Sequence, residues 1–224
     1  MAIAINNVKA RFRAVERVGV MRVSKEKAAE NRARILTEAA RLFRERGLLG
    51  VGVDALTEAA GLTHGSLYSQ FGSKERLAAE ALSHALSTSS ARMSDAGTLD
   101  DYVTRYLSTD HRERRGDGCV MAALAGEIPR QGAAIRHGFT DAVRVVTKRI
   151  ASLMPGRRKS EDEALAIVAT MVGALTLARA VDDPVLSDRI LAAARTRLSS
   201  RPGAVSTKYA PKNLDNENFK ARAL

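Results

Sequence analysis

The chain has 224 residues, of which 45% are hydrophobic but only 4% aromatic, with no Trp. An Ala- and Leu-rich sequence of this kind favours helices over sheet, and the length is sufficient to bury a sizeable core. A single cysteine excludes an internal disulfide framework, and no uncharged apolar run reaches the roughly 18 residues of a membrane span.

The net charge of +11 is concentrated at the two ends of the chain. Residues 24–89 carry nine basic and eight acidic side chains, whereas residues 1–23 carry five against one and residues 199–224 carry five against two. Basic termini are commonly solvated tails, so charge alone is weak support for nucleic-acid binding. We expect 1–23 and 199–224 to be disordered, and Met21 is an alternative start if residues 1–20 result from an early start codon.

Hydrophobic periodicity and breaker residues predict about nine helices and no strand. The predicted fold class is therefore all-α. The predicted helices cover 24–46, 53–60, 63–68, 73–89, 99–108, 118–131, 133–154, 161–181 and 185–198.

The second and third predicted helices are separated by a turn typical of a helix-turn-helix. The run Asp54–Ala60 is helical, Gly61 interrupts it, and Thr63 is a good N-cap for the next short helix. In a helix-turn-helix, the second of these helices enters the DNA major groove. A structural helical hairpin has the same spacing, so the pattern alone leaves both interpretations open.

The residues after Gly61 suit a helix that approaches DNA closely. Small or polar side chains at its leading end admit the bases, a tyrosine hydroxyl can donate to a phosphate oxygen, and a lysine is attracted to the DNA backbone. The candidates for DNA contact are Thr63, His64, Gly65, Ser66, Tyr68 and Lys74. In the alternative interpretation the aromatic side chains are core and Lys74 is a solvated charge.

Residues 29–89 resemble the N-terminal domain of the tetracycline-repressor (TetR) family of bacterial transcriptional regulators. The resemblance rests on the runs Ala59–Thr63 and Gly65–Tyr68, on Phe71 and on Ser73–Glu75, all at the family spacing. It implies a helix-turn-helix over residues 52–71 with a recognition helix at about 63–68.

The resemblance also implies individual roles. Thr63, Gly65 and Ser66 would contact bases or phosphates, and Tyr68 and Lys74 would contact phosphates. His64 falls at a position that varies within the family, so we predict that it sets sequence preference. Gly52 stands where the family often has a hydroxyl residue, so the second helix is expected to lack a hydroxyl N-cap.

Beyond the DNA-binding domain over 24–89, the resemblance implies a helical-bundle domain for ligand binding and dimerisation over 90–198. Apolar or aromatic side chains on its middle helices could line an effector pocket, although each could equally be plain core. The pocket candidates are Tyr102, Tyr106, Leu107, Met121, Phe139 and Met171. Cys119 is a candidate redox or electrophile sensor, and a small buried core residue is the favoured alternative.

The resemblance further implies a homodimer with a four-helix interface built from the last two helices of each subunit. Intramolecular core is the alternative for this apolar face. The interface candidates are Leu165, Val168, Val172, Leu175, Leu186 and Ile190. A twofold dimer would place its two recognition helices on successive major grooves of a roughly palindromic operator.

The sequence thus predicts a cytoplasmic, dimeric DNA-binding regulator, a repressor that an unknown small molecule or electrophile releases from double-stranded DNA. A nonspecific nucleic-acid-coating protein driven by its basic tails is the alternative. A helical enzyme has no support, because no nucleophile elbow, phosphate loop, dinucleotide fingerprint or metal-ligand spacing is present. We predict no cofactor, no metal and no membrane partner.

Overall fold

A computed structural model of the protein describes residues 25–154 and 160–199. Over these two ranges the chain forms ten α-helices, two short 3-10 helices and no strand, which confirms the all-α prediction. The predictions for the N-terminal arm and for the tail after Ser199 lie outside the described residues.

The helices are numbered here in chain order. They are α1 (Lys25–Arg46), α2 (Val53–Ala60), α3 (His64–Phe71), α4 (Lys74–Arg92), α5 (Leu99–Tyr106), α6 (Thr109–Glu113), α7 (Val120–Leu124), α8 (Ala133–Leu153), α9 (Glu161–Ala180) and α10 (Pro184–Ser199). The 3-10 helices are Arg115–Asp117 and Ile128–Arg130.

The described residues divide into two compact units. The first contains the chain up to Ser90 together with Arg115–Ala142, and the second contains Ala91–Arg114 together with the chain from Val143 onward. The predicted boundary near residue 90 coincides with one limit of the first unit, but 115–142 also pack in that unit. The assignment of separate functions to 24–89 and 90–198 stays a prediction.

The first unit is built around the apolar stripe of α1. This stripe packs against α2, and buried apolar side chains of α3 and α4 complete the core, so that burial of large side chains fixes the three-helix arrangement of α1, α2 and α3. The largest buried side chains are Ile35, Phe43, Leu56, Leu67, Phe71, Leu77 and Leu82. Gly47 ends α1: it has a φ of +79°, and its N–H donates to the Phe43 carbonyl at 2.9 Å.

A carboxylate from the later part of the first unit holds the loop between α1 and α2. Glu127 Oε2 accepts hydrogen bonds from the backbone N–H groups of Leu48 at 2.9 Å and Leu49 at 3.3 Å. Arg44 on α1 donates from Nε to the Gly116 carbonyl at 2.6 Å. Charge-assisted bonds of this kind are stronger than neutral ones, so they tie residues 115–131 to the C-terminal end of α1 and to the loop that follows it.

In the second unit, arginines satisfy carbonyl groups that the short helices α5 and α6 leave open. Arg195 donates to the Leu107 carbonyl at 3.0 Å, and Arg179 donates to the carbonyls of His111 at 2.7 Å and Arg112 at 3.1 Å. The core beside them consists of apolar residues from α5, α8, α9 and α10. These residues include Val103, Leu107, Ile150, Met171, Leu175 and Leu191.

Between residues 108 and 131, two elements differ from the prediction. The expected helix over 118–131 is instead α7 followed by a 3-10 turn, because Pro129 lacks an N–H and disfavours helical backbone at the residue before it. The additional helix α6 is opened by Ser108, whose hydroxyl accepts from the His111 N–H at 3.1 Å. These changes account for ten helices where nine were predicted.

Helix α9 is more apolar than the sequence pattern suggested. An 18-residue window of α9 has a mean hydropathy of 1.5, so by length and composition the helix could cross a membrane. Buried core helices have similar compositions, and 39% of this window is buried within the protein. Burial within the protomer does not account for the rest of the apolar surface of α9.

Candidate DNA-binding site

The turn between α2 and α3 has the geometry predicted from Gly61. The Gly61 backbone is left-handed, with a φ of +62°, and its N–H donates to the Glu58 carbonyl at 3.1 Å. The N–H of Leu62 donates to the Thr57 carbonyl at 2.8 Å, which completes a Schellman arrangement. A residue with a Cβ would be strained at Gly61, so the glycine fixes where α2 stops and where α3 can begin.

Thr63 opens α3 as its N-cap. Its Oγ1 accepts a hydrogen bond from the Ser66 backbone N–H at 3.3 Å, which satisfies one of the open donors at the helix start. Helix α2 has no equivalent, because its N-cap is Gly52 and no side chain caps it. The predicted absence of a hydroxyl cap on α2 is therefore confirmed.

Helix α3 is longer than predicted and ends at Phe71 rather than at Tyr68. Leu67 and Phe71 are buried and point into the three-helix core. Gly72, with a φ of +74°, then ends the helix and allows Ser73 to cap α4, where the Ser73 Oγ accepts from the Arg76 N–H at 3.1 Å.

Arg32 on α1 secures the far end of α3, a role that the sequence analysis missed. Its guanidinium lies 4.3 Å from the centroid of the Phe71 ring and donates to the Gln70 carbonyl at 3.0 Å. The same group pairs with the Glu80 carboxylate on α4. One side chain thereby ties α1, α3 and α4 together, and a contact between residues so distant in sequence leaves no local pattern to detect.

The predicted DNA contacts lie on α3, its N-cap and the first turn of α4. Thr63, His64, Gly65 and Tyr68 are exposed, with 49% of Tyr68 accessible, while Ser66 and Lys74 are half-buried. Tyr68 is therefore accessible to another molecule on the same helix as the other candidate contacts.

Besides Thr63, two of these side chains have protein partners. The Ser66 hydroxyl accepts from Gln70 Nε2 at 3.2 Å, which orients it along the helix. The Nε2 atom of His64 lies 2.6 Å from Oδ1 of Asp54 on α2. The sequence pattern predicted no role for Asp54 beyond membership of the second helix.

Comparison with known proteins supports the same interpretation. The model of the family described as bacterial regulatory proteins, tetR family, matches residues 35–81, a range that contains α2, α3 and their turn. An uncharacterized HTH-type transcriptional regulator of Mycobacterium tuberculosis H37Rv, Rv0196, is 29% identical over 169 residues, covering 66% of this chain and 84% of that protein.

Solved structures extend the match over most of the fold. A TetR transcriptional regulator from Chloroflexus aurantiacus is 27% identical, with a TM-score of 0.63, and covers 77% of this chain and 94% of that one. Escherichia coli NemR in its reduced form is 20% identical, with a TM-score of 0.64, and covers 78% of this chain and 100% of that one. Residues 35–81 therefore carry the DNA-binding domain of the TetR family, and the fold resembles that of TetR-family regulators. The chain is a DNA-binding transcriptional regulator.

The predicted effector-pocket residues are distributed over both units, and their role stays a prediction. Tyr102, Tyr106, Leu107, Met121 and Met171 are buried, and Phe139 is half-buried. Met121 and Phe139 belong to the first unit and the other four to the second. A groove of about 550 Å³ lies instead in the first unit, lined by other residues of α1, α4 and α8 such as Leu36, Ser83, His84, His137 and Gly138.

Cys119 is the N-cap of the five-residue helix α7 and its side chain is half-buried. The favoured alternative described it as a small buried residue inside an apolar helix, whereas it immediately precedes the helix. Its role as a sensor stays a prediction. Among the residues that the structure describes, no group of three or more His, Cys, Asp or Glu side chains could hold a metal ion.

The predicted dimer residues separate into two groups. Val168 and Leu175 are buried within the protomer, so they have almost no surface to offer a partner and must be set aside as contacts. Leu165 and Leu186 are exposed, and Val172 and Ile190 are half-buried. Leu177 on α9 and Val185 on α10, which the prediction omitted, are more exposed still, at 57% and 68%.

Proposed function

We propose that the protein is a dimeric repressor that inserts α3 into the DNA major groove and leaves its operator when a small molecule binds. The exposed face of α3 carries this proposal. Thr63, His64, Gly65 and Tyr68 face solvent, whereas Leu67 and Phe71 anchor the opposite side of the same helix. A rigidly held helix with a polar, narrow leading end is what the major groove admits.

The phosphate contacts are assigned to Tyr68 and Lys74. These contacts carry no base information, so removing either side chain should weaken binding to all sequences to a similar extent. Loss of Lys74 should also reduce the slope of log affinity against log salt concentration by about 1, because one fewer counterion is released.

The test begins with selection of an operator from random double-stranded DNA by the full-length protein. Affinities of Tyr68→Ala, Lys74→Ala and the double variant are then measured by fluorescence anisotropy at several salt concentrations. Lys148→Ala, which removes an exposed lysine from α8, is the matched control and should bind as the wild type does. Unchanged affinity of the double variant for the operator would remove these residues from the proposed site.

In the alternative, a nonspecific nucleic-acid-coating protein binds through its basic tails. Deletion of the tails distinguishes this alternative from the sequence-specific regulator. Removal of residues 1–20 and 205–224 leaves α3 intact. Retention of operator selectivity supports the regulator, whereas complete loss of binding supports a tail-driven coating protein. Operator binding would take place in the cytoplasm, where bacterial DNA lies.

The effector is a small molecule whose site we assign to the helical part of the chain after residue 90. Release from DNA requires that the molecule bind the DNA-incompetent state more tightly than the DNA-bound state. Oxidation of the Cys119 thiol is a second way to release the protein from DNA, because it would change the size and polarity of a half-buried side chain. Treatment with a thiol oxidant should then release wild-type protein from the operator but not Cys119→Ser, and equal responses of the two would exclude this route.

A further inference from the structure

One ion pair connects the start of α2 with the start of α3. His64 is the first residue of α3 and Asp54 the second residue of α2, and the Nε2–Oδ1 distance is 2.6 Å. Both side chains face solvent, with 57% of His64 and 91% of Asp54 exposed. The pair thus lies at the leading end of the helix that we place in the major groove.

The stability of the fold does not explain this pair. Ion pairs between exposed side chains contribute about 0–1 kcal/mol, because water screens them and two side chains lose freedom. A carboxylate in the first turn of α2 favours that helix whether or not it touches a histidine. A negative charge on a surface that meets phosphate groups also opposes DNA binding. A carboxylate at this position therefore calls for a functional explanation.

The chemistry of the pair supplies such a function. A carboxylate can only accept, so the Nε2 atom of His64 must carry the proton shared with Asp54. The ring is thereby held in one orientation, and Nδ1 is left for other contacts. We infer that Asp54 is a positioning residue for base recognition, which aims the His64 ring so that its remaining nitrogen reads one base edge in the groove.

This inference rests on the proposed function of α3, and it makes Asp54 a determinant of sequence preference without direct contact to DNA. A ring held by Asp54 presents one nitrogen to one base edge. A ring released from Asp54 can rotate and discriminates less. Preference should therefore decline at one base pair in each half of the operator when either partner is removed, while the phosphate contacts remain.

The experiment measures base preference rather than affinity alone. Full-length wild type, His64→Ala, Asp54→Ala and the double variant are each titrated against a panel of operators with every single-base substitution. His64→Ala is expected to reduce discrimination by about fivefold at one base pair of each half-site. Asp54→Ala should reduce it at the same base pair, and the double variant should lose no more than either single variant.

Two further variants make the result specific. Asp54→Asn keeps an oxygen that can accept from Nε2, so it should retain most of the preference and rules out a folding defect as the cause. Glu58→Ala removes another exposed carboxylate from α2 and should leave the preference profile unchanged.

The outcomes that overturn the inference are distinct from those that overturn the proposed function. An Asp54→Ala profile that matches the wild type, or that shifts all sequences equally as Glu58→Ala would, removes Asp54 from base recognition while the regulator stands. Absence of any preferred sequence for the wild type, with Tyr68→Ala unchanged, overturns the regulator and the inference together.

Discussion

At the scale of single residues, Gly65 separates the requirements of the fold from those of DNA binding. Its φ is not in the left-handed region, and a Cβ built on it meets nothing within 4 Å. The fold therefore has no need of glycine at this helical position, where alanine should raise the free energy of unfolding by roughly 0.5–1 kcal/mol. Close approach of DNA is the remaining reason for the glycine.

We accordingly expect Gly65→Ala to be at least as stable as the wild type in urea unfolding but to bind the operator about tenfold more weakly. Gly61→Ala provides the opposite case. Because Gly61 has a φ of +62°, that variant should lose about 1 kcal/mol of stability. Wild-type affinity of Gly65→Ala would show that DNA does not approach this part of α3.

His111 gives the second unit a predictable response to pH. Burial lowers the pKa of His111 below its usual value, with nearby Arg179 acting in the same direction, although the Nδ1 contact to the Tyr106 carbonyl at 2.6 Å opposes this. Below the pKa of the unfolded histidine, near 6.5, the unfolded chain therefore binds more protons than the folded one. Stability should fall as pH decreases from about 6.5, until the lower folded pKa is reached.

The slope contributed by this one residue can reach at most about 1.4 kcal/mol per pH unit. His111→Asn keeps a donor for the Tyr106 carbonyl but cannot be protonated, so its unfolding free energy should change less than that of the wild type between pH 7 and 5. The measurement is urea unfolding at a series of pH values. Identical pH profiles for the two proteins would contradict the assignment.

The single-residue roles that sequence predicted are those fixed by local geometry. Gly61 and Thr63 were predicted because a left-handed C′ residue and a hydroxyl N-cap leave signals within four positions of the helix ends. Arg32 and Asp54 were not, since their partners Phe71 and His64 are brought to them only by tertiary packing. The same limit applies to Val168 and Leu175, whose helical spacing cannot distinguish a dimer face from the protomer's own core.

At the scale of elements, the contact of Glu127 with the α1–α2 loop is the link to test. Its carboxylate accepts from the N–H groups of Leu48 and Leu49, and a Cβ at Gly47 would lie only 2.3 Å from Glu127 Oε1. Glu127→Ala leaves two backbone donors without this acceptor and should lower the unfolding free energy by about 1–3 kcal/mol. Amide hydrogen exchange at Leu48 and Leu49 should become faster.

Glu127→Gln retains an acceptor oxygen and should lose less than the alanine variant. Glu58→Ala, which removes an exposed carboxylate from α2, should leave both stability and exchange unchanged within error. If Glu127→Ala behaved like Glu58→Ala, the carboxylate would not be holding the loop.

The helix limits were predicted well where helix-breaking or N-capping residues lie at the ends of a stretch with helical hydrophobic periodicity. The limits of α2 match the prediction, as does the start of α4 after Ser73. The region 109–131 was predicted poorly, because its helices are only five residues long and owe their positions to tertiary contacts such as that between Arg44 and Gly116.

At the scale of the whole molecule, the apolar surface of α9 and α10 is the feature that the single protomer leaves unexplained. Leu165 and Leu177 on α9 and Val185 and Leu186 on α10 are exposed, and α9 is hydrophobic enough to resemble a membrane span in composition. Patches of this kind on a protein that acts in water mark interaction surfaces. A second copy of the chain, packed with twofold symmetry, would cover the same patch on both subunits.

Replacing Leu177 and Val185 together by aspartate should therefore convert a dimer into a monomer, which sedimentation velocity would detect. Desolvating charges in an apolar interface is costly, and neither side chain supports the protomer's own core, so the variant should keep its helix content. Operator affinity should decrease by orders of magnitude, because a monomer reads a single half-site.

Leu49→Asp, which alters an exposed leucine of the first unit, is the control and should remain dimeric. A monomeric wild type, or a double variant that still sediments as a dimer, would place the subunit contact elsewhere and leave the exposed face of α9 and α10 free for a different partner.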